Sequence, residues 1–484
     1  MTSEELATFI ERRRRFVEAV GDGLAIVPAA PETLRNNDVS HPFRQHSDFY
    51  FLTGFDEPDA VALFNPAHAK ERFVLFVRPR DRDLEIWTGH RAGVEGAVAA
   101  YGADAAYPID QLDARLREHA IERPTLFYRL GNPAFDGRVI RLVTELRAAR
   151  GRGFTPPLRI EDPGPIVHEL RLRRSAAELA RQRRACQISR DAHIEAMRYA
   201  RPGQREYQVQ AAVEFVFRAH GSPRDAYPSI VASGPNACIL HYVENQRQML
   251  DGDLLLIDAG CEYGYHASDI TRTFPVNGRF TGPQRAIYEV VLAAQLAAIA
   301  AAGPGVPYEG IHEAARRVVA EGLVDLGLLP RGVADSLAMH HYREFFMHGT
   351  GHWLGMDVHD VGDYRTRGRS RPLEPGMVFT VEPGIYVDPA RESVTFHLRE
   401  YSEEEMWERR LRLGPAAAKQ LEEQEKAKSP TVTHPIPAEF RGIGVRIEDD
   451  ILVTAEGVEN LTAGTPKTVE EVERTCAEVS RLPR

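Results

Sequence analysis

Leu254-Leu-Leu-Ile-Asp258-Ala-Gly260 runs four apolar residues into a single carboxylate, and eleven residues on Ser268-Asp269-Ile-Thr-Arg-Thr-Phe274 opens a second apolar run with another. Short apolar runs between turn signals read as buried strands, here over residues 254–258 and 269–274. An ionised carboxylate delivered by such a strand is costly to bury unless it meets a cation, a proton or several donors. The intervening Cys261-Glu-Tyr-Gly-Tyr-His266 is short enough for a hairpin that sets both aspartates on one face. Two carboxylates so placed point to a cation site.

Three later stretches strengthen that reading. Phe345-Phe-Met-His348-Gly-Thr-Gly-His352-Trp-Leu-Gly-Met-Asp-Val-His359 holds three histidines interleaved with glycines, which imply close backbone approach. Its first two histidines are four apart without the glutamate of the H-E-x-x-H zinc motif, so that motif is excluded. Met377-Val-Phe-Thr-Val-Glu382-Pro-Gly-Ile-Tyr386 drives a third carboxylate out of an apolar strand, expected over residues 377–381. Gly442-Ile-Gly-Val-Arg446-Ile-Glu448-Asp-Asp-Ile-Leu-Val453 reads as one strand over 444–453, with Arg446 and Glu448 on one face by the period of two. Hard oxygen donors with an imidazole suit Mn²⁺, Mg²⁺ or Fe²⁺, with Zn²⁺ and Co²⁺ also open. Four carboxylates match two divalent ions better than one, and ions ~3.5–4 Å apart can hold a bridging hydroxide.

The chain of 484 residues is 43% hydrophobic and 27% charged, as globular proteins are, and long enough for two or three domains. Its formal net charge of −10 argues against binding nucleic acid through phosphate neutralisation. Cys186, Cys238, Cys261 and Cys476 show no C-x-x-C spacing and make no disulfide framework, which fits reduced thiols in the cytoplasm. The N-terminus runs into Arg12-Arg-Arg-Arg15 with no apolar segment of a secretory signal behind it. The longest apolar stretch, residues 290–302, is interrupted by Gln295 and falls short of the ~20 residues that span a bilayer, so no membrane association is expected.

Ser3 reads as the N-cap of a first helix reaching about Val20, and strands are expected at Leu24-Ala-Ile-Val27, Ala60-Val-Ala-Leu-Phe64 and Phe73-Val-Leu-Phe-Val77. Asp83-Leu-Glu-Ile-Trp87 alternates as a half-exposed strand does. Breakers concentrate in Gly151-Arg-Gly-Phe-Thr-Pro-Pro157 and Asp162-Pro-Gly-Pro165, placing a domain boundary near residues 151–175. Beyond it, Ser175-Ala-Ala-Glu178 is a capping box opening a helix through Met197, and helices follow near 206–220, 283–302 and 308–328. Strands and helices mix without strict βαβ alternation, so the fold class is α+β. Residues 391–428 carry 17 charges in 38 positions and read as a solvated helical hairpin or a disordered loop, with a lid or an oligomer contact as the functional alternative.

The series Asp258, Asp269, His352, Glu382, Glu448 resembles the five-ligand dimetal site of the pita-bread metallopeptidases, in particular the aminopeptidase P family. Phe43-Arg-Gln-His-Ser-Asp-Phe-Tyr-Phe-Leu-Thr-Gly-Phe55, Ile166-Val-His-Glu-Leu-Arg171 and Cys238-Ile-Leu-His241-Tyr-Val-Glu-Asn245 extend the resemblance over most of the chain. It implies a creatinase-like N-terminal α/β domain over residues 1–172 and a pita-bread catalytic domain with a curved antiparallel sheet over 173–484. Two divalent ions are implied, manganese first and cobalt or zinc as alternatives. Asp258 would bind one, Asp269 and Glu448 would bridge, and His352 and Glu382 would complete the other. The implied reaction is hydrolysis of the bond between an N-terminal residue and a following proline by a hydroxide bridging the two ions. His241 or His359 would stabilise the tetrahedral intermediate, Glu382 would relay the proton, and His348 and Arg446 would line the proline side. Peptides with proline second are the implied partners, in a homotetramer or homodimer.

This chain departs from the family pattern in two places. Glu382 and Glu448 lie 66 positions apart, so residues 391–428 are largely an insertion, and Pro163-Gly164 stands where a Trp-Arg pair is expected. Two rival readings stay open: a prolidase of the same fold, restricted to dipeptides, and a non-catalytic pita-bread binding module. The full ligand set argues against the latter and against the metal-free chemistry of creatinase.

Overall fold

The apolar runs near the N-terminus pair edge to edge. Leu24–Pro28 lies antiparallel to Val61–Phe64, which lies antiparallel to Phe73–Val77. Ala105–Pro108, Thr125–Phe127 and Arg159–Glu161 join in parallel to complete a mixed six-stranded sheet. On it, Leu24, Ile26, Leu63, Val74 and Phe76 pack with Leu116, Leu142, Val143 and Leu146 of two helices, Leu112–Ala120 and Pro133–Ala149. The computed structural model describes residues 2–150, 155–330, 332–400 and 402–482, so the first part of the breaker run at 151–157 lies outside the described residues. The chain divides into two compact units, Met1–Arg171 and Leu172–Arg484.

The first helix runs Ser3–Val20, but its cap is Thr2, which trades hydrogen bonds with Glu5 in a capping box. Half of its basic run is buried. Arg12 and Arg13 lie over the rings of Phe51 and Phe73 and donate to the Phe51 and Leu52 carbonyls at 3.2 and 3.3 Å. The expected strand at 83–87 is a helix, Arg82–Thr88. Asp81 decides this, because its carboxylate accepts from the backbone N–H groups of Asp83 and Leu84, outweighing a five-residue alternation.

In the second unit the strands are short and antiparallel. Ile230–Ser233, Leu254–Asp258 and Thr271–Pro275 form one sheet; Val378–Val381, Asp449–Val453 and Val458–Asn460 form another; Gly384–Tyr386 pairs with Gly444–Arg446. Helices Ala176–Tyr199, Glu206–Ala219, Gly282–Ala301 and Glu309–Asp325 contribute Ile188, Val213, Tyr288 and Val319 to the main core. The α+β expectation and the capping box at Ser175 hold.

Two strand assignments need correcting. Asp258 pairs with Thr271, so Asp269 stands two residues ahead of its strand rather than within it. The intervening segment folds on itself as a small ladder of Cys261–Tyr263 and His266–Ala267, not as a simple loop. A Cβ on Gly260 would fall 1.8 Å from the Ser268 carbonyl oxygen, so only glycine permits this closure. The run at 444–453 is likewise two strands, Gly444–Arg446 and Asp449–Val453, with different partners. Ile447 and Glu448 occupy the switch between them.

A buried ion pair secures that switch. Arg272 and Asp449 are both fully buried and meet at 2.6 Å, and Asp449 also accepts from Lys467, Gln295, Asn460 and Thr462 at 2.6–2.9 Å. Gln295, the residue that interrupts the apolar helix, is thereby explained. Arg272 in turn donates to the Glu448 carbonyl oxygen at 2.5 Å.

Residues 391–428 contain two helices, Glu403–Leu413 and Pro415–Lys426, as the helical-hairpin reading expected, but they rise from a ribbon of Ser393–His397 and Thr431–Pro435 that the charge count hid. Val394 and Phe396 alternate inward from that ribbon to join the core. Arg409 ties the helices together through Glu425 while pairing with Glu405 on its own helix, and Arg365 lies 5.2 Å over the Trp407 ring.

Burial alone would raise the Asp449 pKa, but Arg272 and Lys467 hold it far below the usual carboxylate range. A depressed carboxyl contributes stability that is present above its unfolded value of about 4 and is lost only as the pH falls towards the folded value. Asp449→Ala is expected to cost ~3–5 kcal/mol at neutral pH, because it strands Arg272 in the core, as measured by denaturant unfolding of metal-free protein.

Candidate active site

Each candidate side chain arrives from a strand end or a glycine-rich turn. Asp258 ends its strand opposite Ile230, and Asp269 follows the Gly260 closure. His352 sits where the 345–359 segment crosses the strand bearing Glu382. Its N–H donates to the Thr380 hydroxyl at 3.1 Å, and the N–H of Glu382 donates to the Thr350 carbonyl at 2.8 Å. A Cβ on Gly351 would fall 1.9 Å from the Thr380 carbonyl oxygen, so this crossing requires glycine. Glu448 projects from the strand switch, where its N–H donates to the Thr271 carbonyl at 3.0 Å.

All nine candidates line one cavity of about 720 Å³: His241, Asp258, Asp269, His348, His352, His359, Glu382, Arg446 and Glu448. Ile230, Leu240, Val243 and Val358 supply its apolar wall. Asp269, His352 and Glu448 each present a ligand atom within 4.8 Å of the other two. The His352 Nε2 lies 3.4 Å from Asp269 and 3.6 Å from Glu382. Its Nδ1 is 3.1 Å from the Trp353 carbonyl oxygen, a contact that puts a proton on Nδ1 and turns Nε2 towards the carboxylates. His359 stands edge-on to His352 with ring centroids 4.3 Å apart.

Side chains without a sequence-assigned role complete the arrangement. The Tyr227 hydroxyl contacts both Asp258, at 2.7 Å, and Asp269. Arg446 meets Asp258 at 2.6 Å, donates to the Tyr386 hydroxyl at 2.9 Å and reaches the Thr271 hydroxyl at 3.1 Å; that hydroxyl donates to Glu448 at 2.6 Å. His348 Nε2 is 2.9 Å from the Tyr386 hydroxyl. Tyr386 closes the quoted Glu382 stretch, but nothing in the local pattern distinguishes it from a core tyrosine. Tyr227 follows a two-residue strand and carries no periodic signal at all.

The charges are in conflict. Burial pushes Asp269 and Glu448 up, and repulsion from the neighbouring carboxylates adds to it. Burial lifts Glu382 to about 7 despite the pull of His352 and Arg446. Asp258 alone is held low, since Arg446 and Tyr227 outweigh the effect of burial. Against burial, Asp269 and Glu382 raise His352 to about 9. Burial and the nearby Arg446 lower His348 to about 3, and burial with the neighbouring His352 and His241 lowers His359. Buried carboxylates that repel one another, grouped with an imidazole whose Nε2 faces them, form a donor set fitted to hard divalent cations once that nitrogen gives up its proton.

A second grouping, His68, Glu71 and His119, lies in the N-terminal unit. There His68 Nδ1 accepts from the Glu71 N–H at 2.8 Å, and His119 Nδ1 accepts from the Asn65 amide while its Nε2 meets Glu71 at 3.1 Å. Both rings spend their lone pairs on protein donors, so the group satisfies itself.

The fold and the first cavity together define a metallopeptidase: residues 180–455 match Metallopeptidase family M24, residues 9–127 match Aminopeptidase P, N-terminal domain, and the chain belongs to this family. Among curated proteins it is 40% identical over 468 residues to Xaa-Pro aminopeptidase of Escherichia coli strain K12, covering 96% of each chain. It is 33% identical over 463 residues to human Xaa-Pro aminopeptidase 3, covering 95% of this chain and 82% of that protein. Among solved structures it is similar to Pseudomonas aeruginosa aminopeptidase PepP, with a TM-score of 0.87, 44% identity and 98% of each chain covered. It also resembles zinc-substituted E. coli aminopeptidase P in complex with product, with a TM-score of 0.86, 40% identity, and 97% of this chain and 98% of that one covered. The expected architecture, an aminopeptidase P N-terminal domain before a pita-bread domain, therefore holds.

Metal uptake should expel protons, because His352 and Glu382 hold them near neutrality and a bound ion displaces them. Calorimetric titration of metal-stripped protein with Mn²⁺ in buffers of different ionisation enthalpy should show proton release, with affinity strengthening from about pH 6 to about pH 8. Tyr227→Phe should weaken uptake roughly 10–100-fold in the same titration, since it removes the hydroxyl that holds two of the carboxylates.

Proposed function

We propose that this chain is a metal-dependent aminopeptidase that hydrolyses the bond between an N-terminal residue and a following proline, with its catalytic domain spanning about residues 173–484. The observation that carries the proposal is the convergence on one cavity of five metal-ligand candidates, His241 and His359, and the His348 and Arg446 pair that Tyr386 links. Family membership and the names of the relatives support the same reading.

In this reading Asp258, Asp269, His352, Glu382 and Glu448 would hold the two divalent ions, Asp258 on the side of one, His352 and Glu382 on the side of the other, and Asp269 and Glu448 serving both. When bound, the ions supply a water acidic enough to act as a nucleophile at neutral pH. Manganese is the proposed native pair, on the strength of the oxygen-rich donor set. His359, kept neutral at physiological pH, and His241 are placed at the cavity as N–H donors to the oxyanion, a role worth about 2.7–4 kcal/mol for such donors. Glu382 is the proposed relay of a proton from the attacking water to the departing proline nitrogen, which must be protonated to leave. His348 and Arg446, both bonded to the buried Tyr386, would line the proline side of the cavity.

Cytoplasmic residence is proposed from the four free thiols. No described helix is long and apolar enough to cross a membrane. A homotetramer or homodimer is proposed from the helix Arg82–Thr88, where Ile86 and Trp87 are 76% and 85% exposed, as apolar side chains at contacts between copies are before assembly.

The test is hydrolysis of a Xaa-Pro-Xaa tripeptide and of a Xaa-Pro dipeptide by metal-stripped protein reloaded with Mn²⁺, Co²⁺ or Zn²⁺. Tripeptide cleavage restored best by manganese is expected; cleavage of the dipeptide alone would make the protein a prolidase. Glu382→Ala and Asp269→Asn should each lose metal and at least ~100-fold in rate. Full activity in either variant with both ions bound would break the assignment.

A further inference from the structure

His241 stands on the crest of the loop joining the strands Ile230–Ser233 and Leu254–Asp258, and it is exposed. Its neighbours Ile239 and Val243 are 53% and 52% exposed, while Leu240 and Tyr242 on either side of it pack with Ile230, Ala232 and Leu256. Its restraint comes from beneath. Glu206, the first residue of the helix Glu206–Ala219, is completely buried. One carboxylate oxygen accepts from the N–H and the hydroxyl of Ser233, both at 2.7 Å, and from the Asn236 amide at 3.2 Å. The other accepts from the Tyr242 hydroxyl and the Arg247 N–H, both at 2.8 Å.

These donors are distributed over the loop. Ser233 and Asn236 mark its entry, Arg247 its exit, and Tyr242 is bonded directly to His241 in sequence. A carboxylate satisfied by several donors at a helix N-terminus is a strong fixed point. Asn245, at φ 51°, adds a second clamp: its oxygen accepts from the Val231 N–H and its amide donates to the Ser229 carbonyl, both at 2.9 Å. Glu206 is not among the cavity-lining residues, and none of its bonds to the loop involves a metal-ligand candidate.

We propose that Glu206 is a positioning residue for the reaction, a buried anchor that gathers the loop from below and so holds the His241 imidazole at the cavity. This rests on the reading of His241 as a donor to the reacting carbonyl. Glu206→Gln keeps the shape but presents an amide N–H₂ to groups that are themselves donors, so the loop must give. A shift of about 1 Å in a catalytic group can cost ~10²-fold in rate.

The experiment measures tripeptide hydrolysis by manganese-loaded enzyme in a double-mutant cycle of Glu206→Gln and His241→Ala. Glu206→Gln is expected to lower kcat roughly 10–100-fold with KM changed less than about 3-fold and bound metal unchanged. In the His241→Ala background the same substitution should change kcat less than about 2-fold, because the group it positions is gone. Equal losses in both backgrounds, or an undiminished kcat, would overturn the inference. Should Glu206→Gln not fold, as judged by thermal unfolding, Tyr242→Phe takes its place in the same cycle, since of the five bonds to Glu206 it severs the one beside His241, and the same two outcomes decide. An inactive wild-type enzyme would overturn both this inference and the proposed activity, whereas additive losses in an active enzyme overturn this one alone.

Discussion

Four carboxylates cannot stay ionised together in one buried cavity without positive charge close by. That constraint organises the second unit. Asp258 is compensated by Arg446 and Tyr227, whereas for Asp269, Glu382 and Glu448 burial and mutual repulsion outweigh the help of His352, Arg446 and the nearby hydroxyls, and all three are driven towards their protonated forms. A site built this way is unfavourable when empty of cations and avid when given them. The rest of the scaffold resists the collapse that would relieve the strain. The Arg272–Asp449 pair fixes the strand switch behind Glu448, and the glycine crossings at positions 260 and 351 let backbones approach closely enough to hold Asp269 and His352.

Much of this site is legible in the chain before folding, for a physical reason. A carboxylate at the end of an apolar run is anomalous wherever it occurs, and Asp258, Asp269, Glu382 and Glu448 each announce themselves in that way. The glycines around His348 and His352 do the same for backbone proximity. What supports the site is less visible. Tyr227, Thr271 and Tyr386 act through single hydroxyls whose importance depends on what faces them across the fold. Glu206 opens an amphipathic helix and looks like an ordinary first-turn acid; only tertiary structure sets five donors around it.

The misread segments share a cause. At 83–87 a local cap at Asp81 outweighed alternation, and at 444–453 a continuous apolar pattern concealed a change of partner strand. Periodicity reports which side of a segment is buried, not which neighbour buries it. The charged stretch shows the same limit: its composition described the two helices and concealed the ribbon beneath them, because that ribbon needs only Val394 and Phe396 to reach the core.

That ribbon also bears on how such a protein can vary over time. Ser393 and Pro435 are direct cross-strand partners, so the chain leaves the enzyme body and returns to it at adjacent points. Beyond the ribbon's far end, where His397 pairs with Thr431, the two helices are a side branch: lengthening, shortening or exchanging them leaves the pairing of Gly384–Tyr386 with Gly444–Arg446 untouched. The fold thus has an attachment point for foreign sequence, where lineages can acquire new appendages without renegotiating the chemistry.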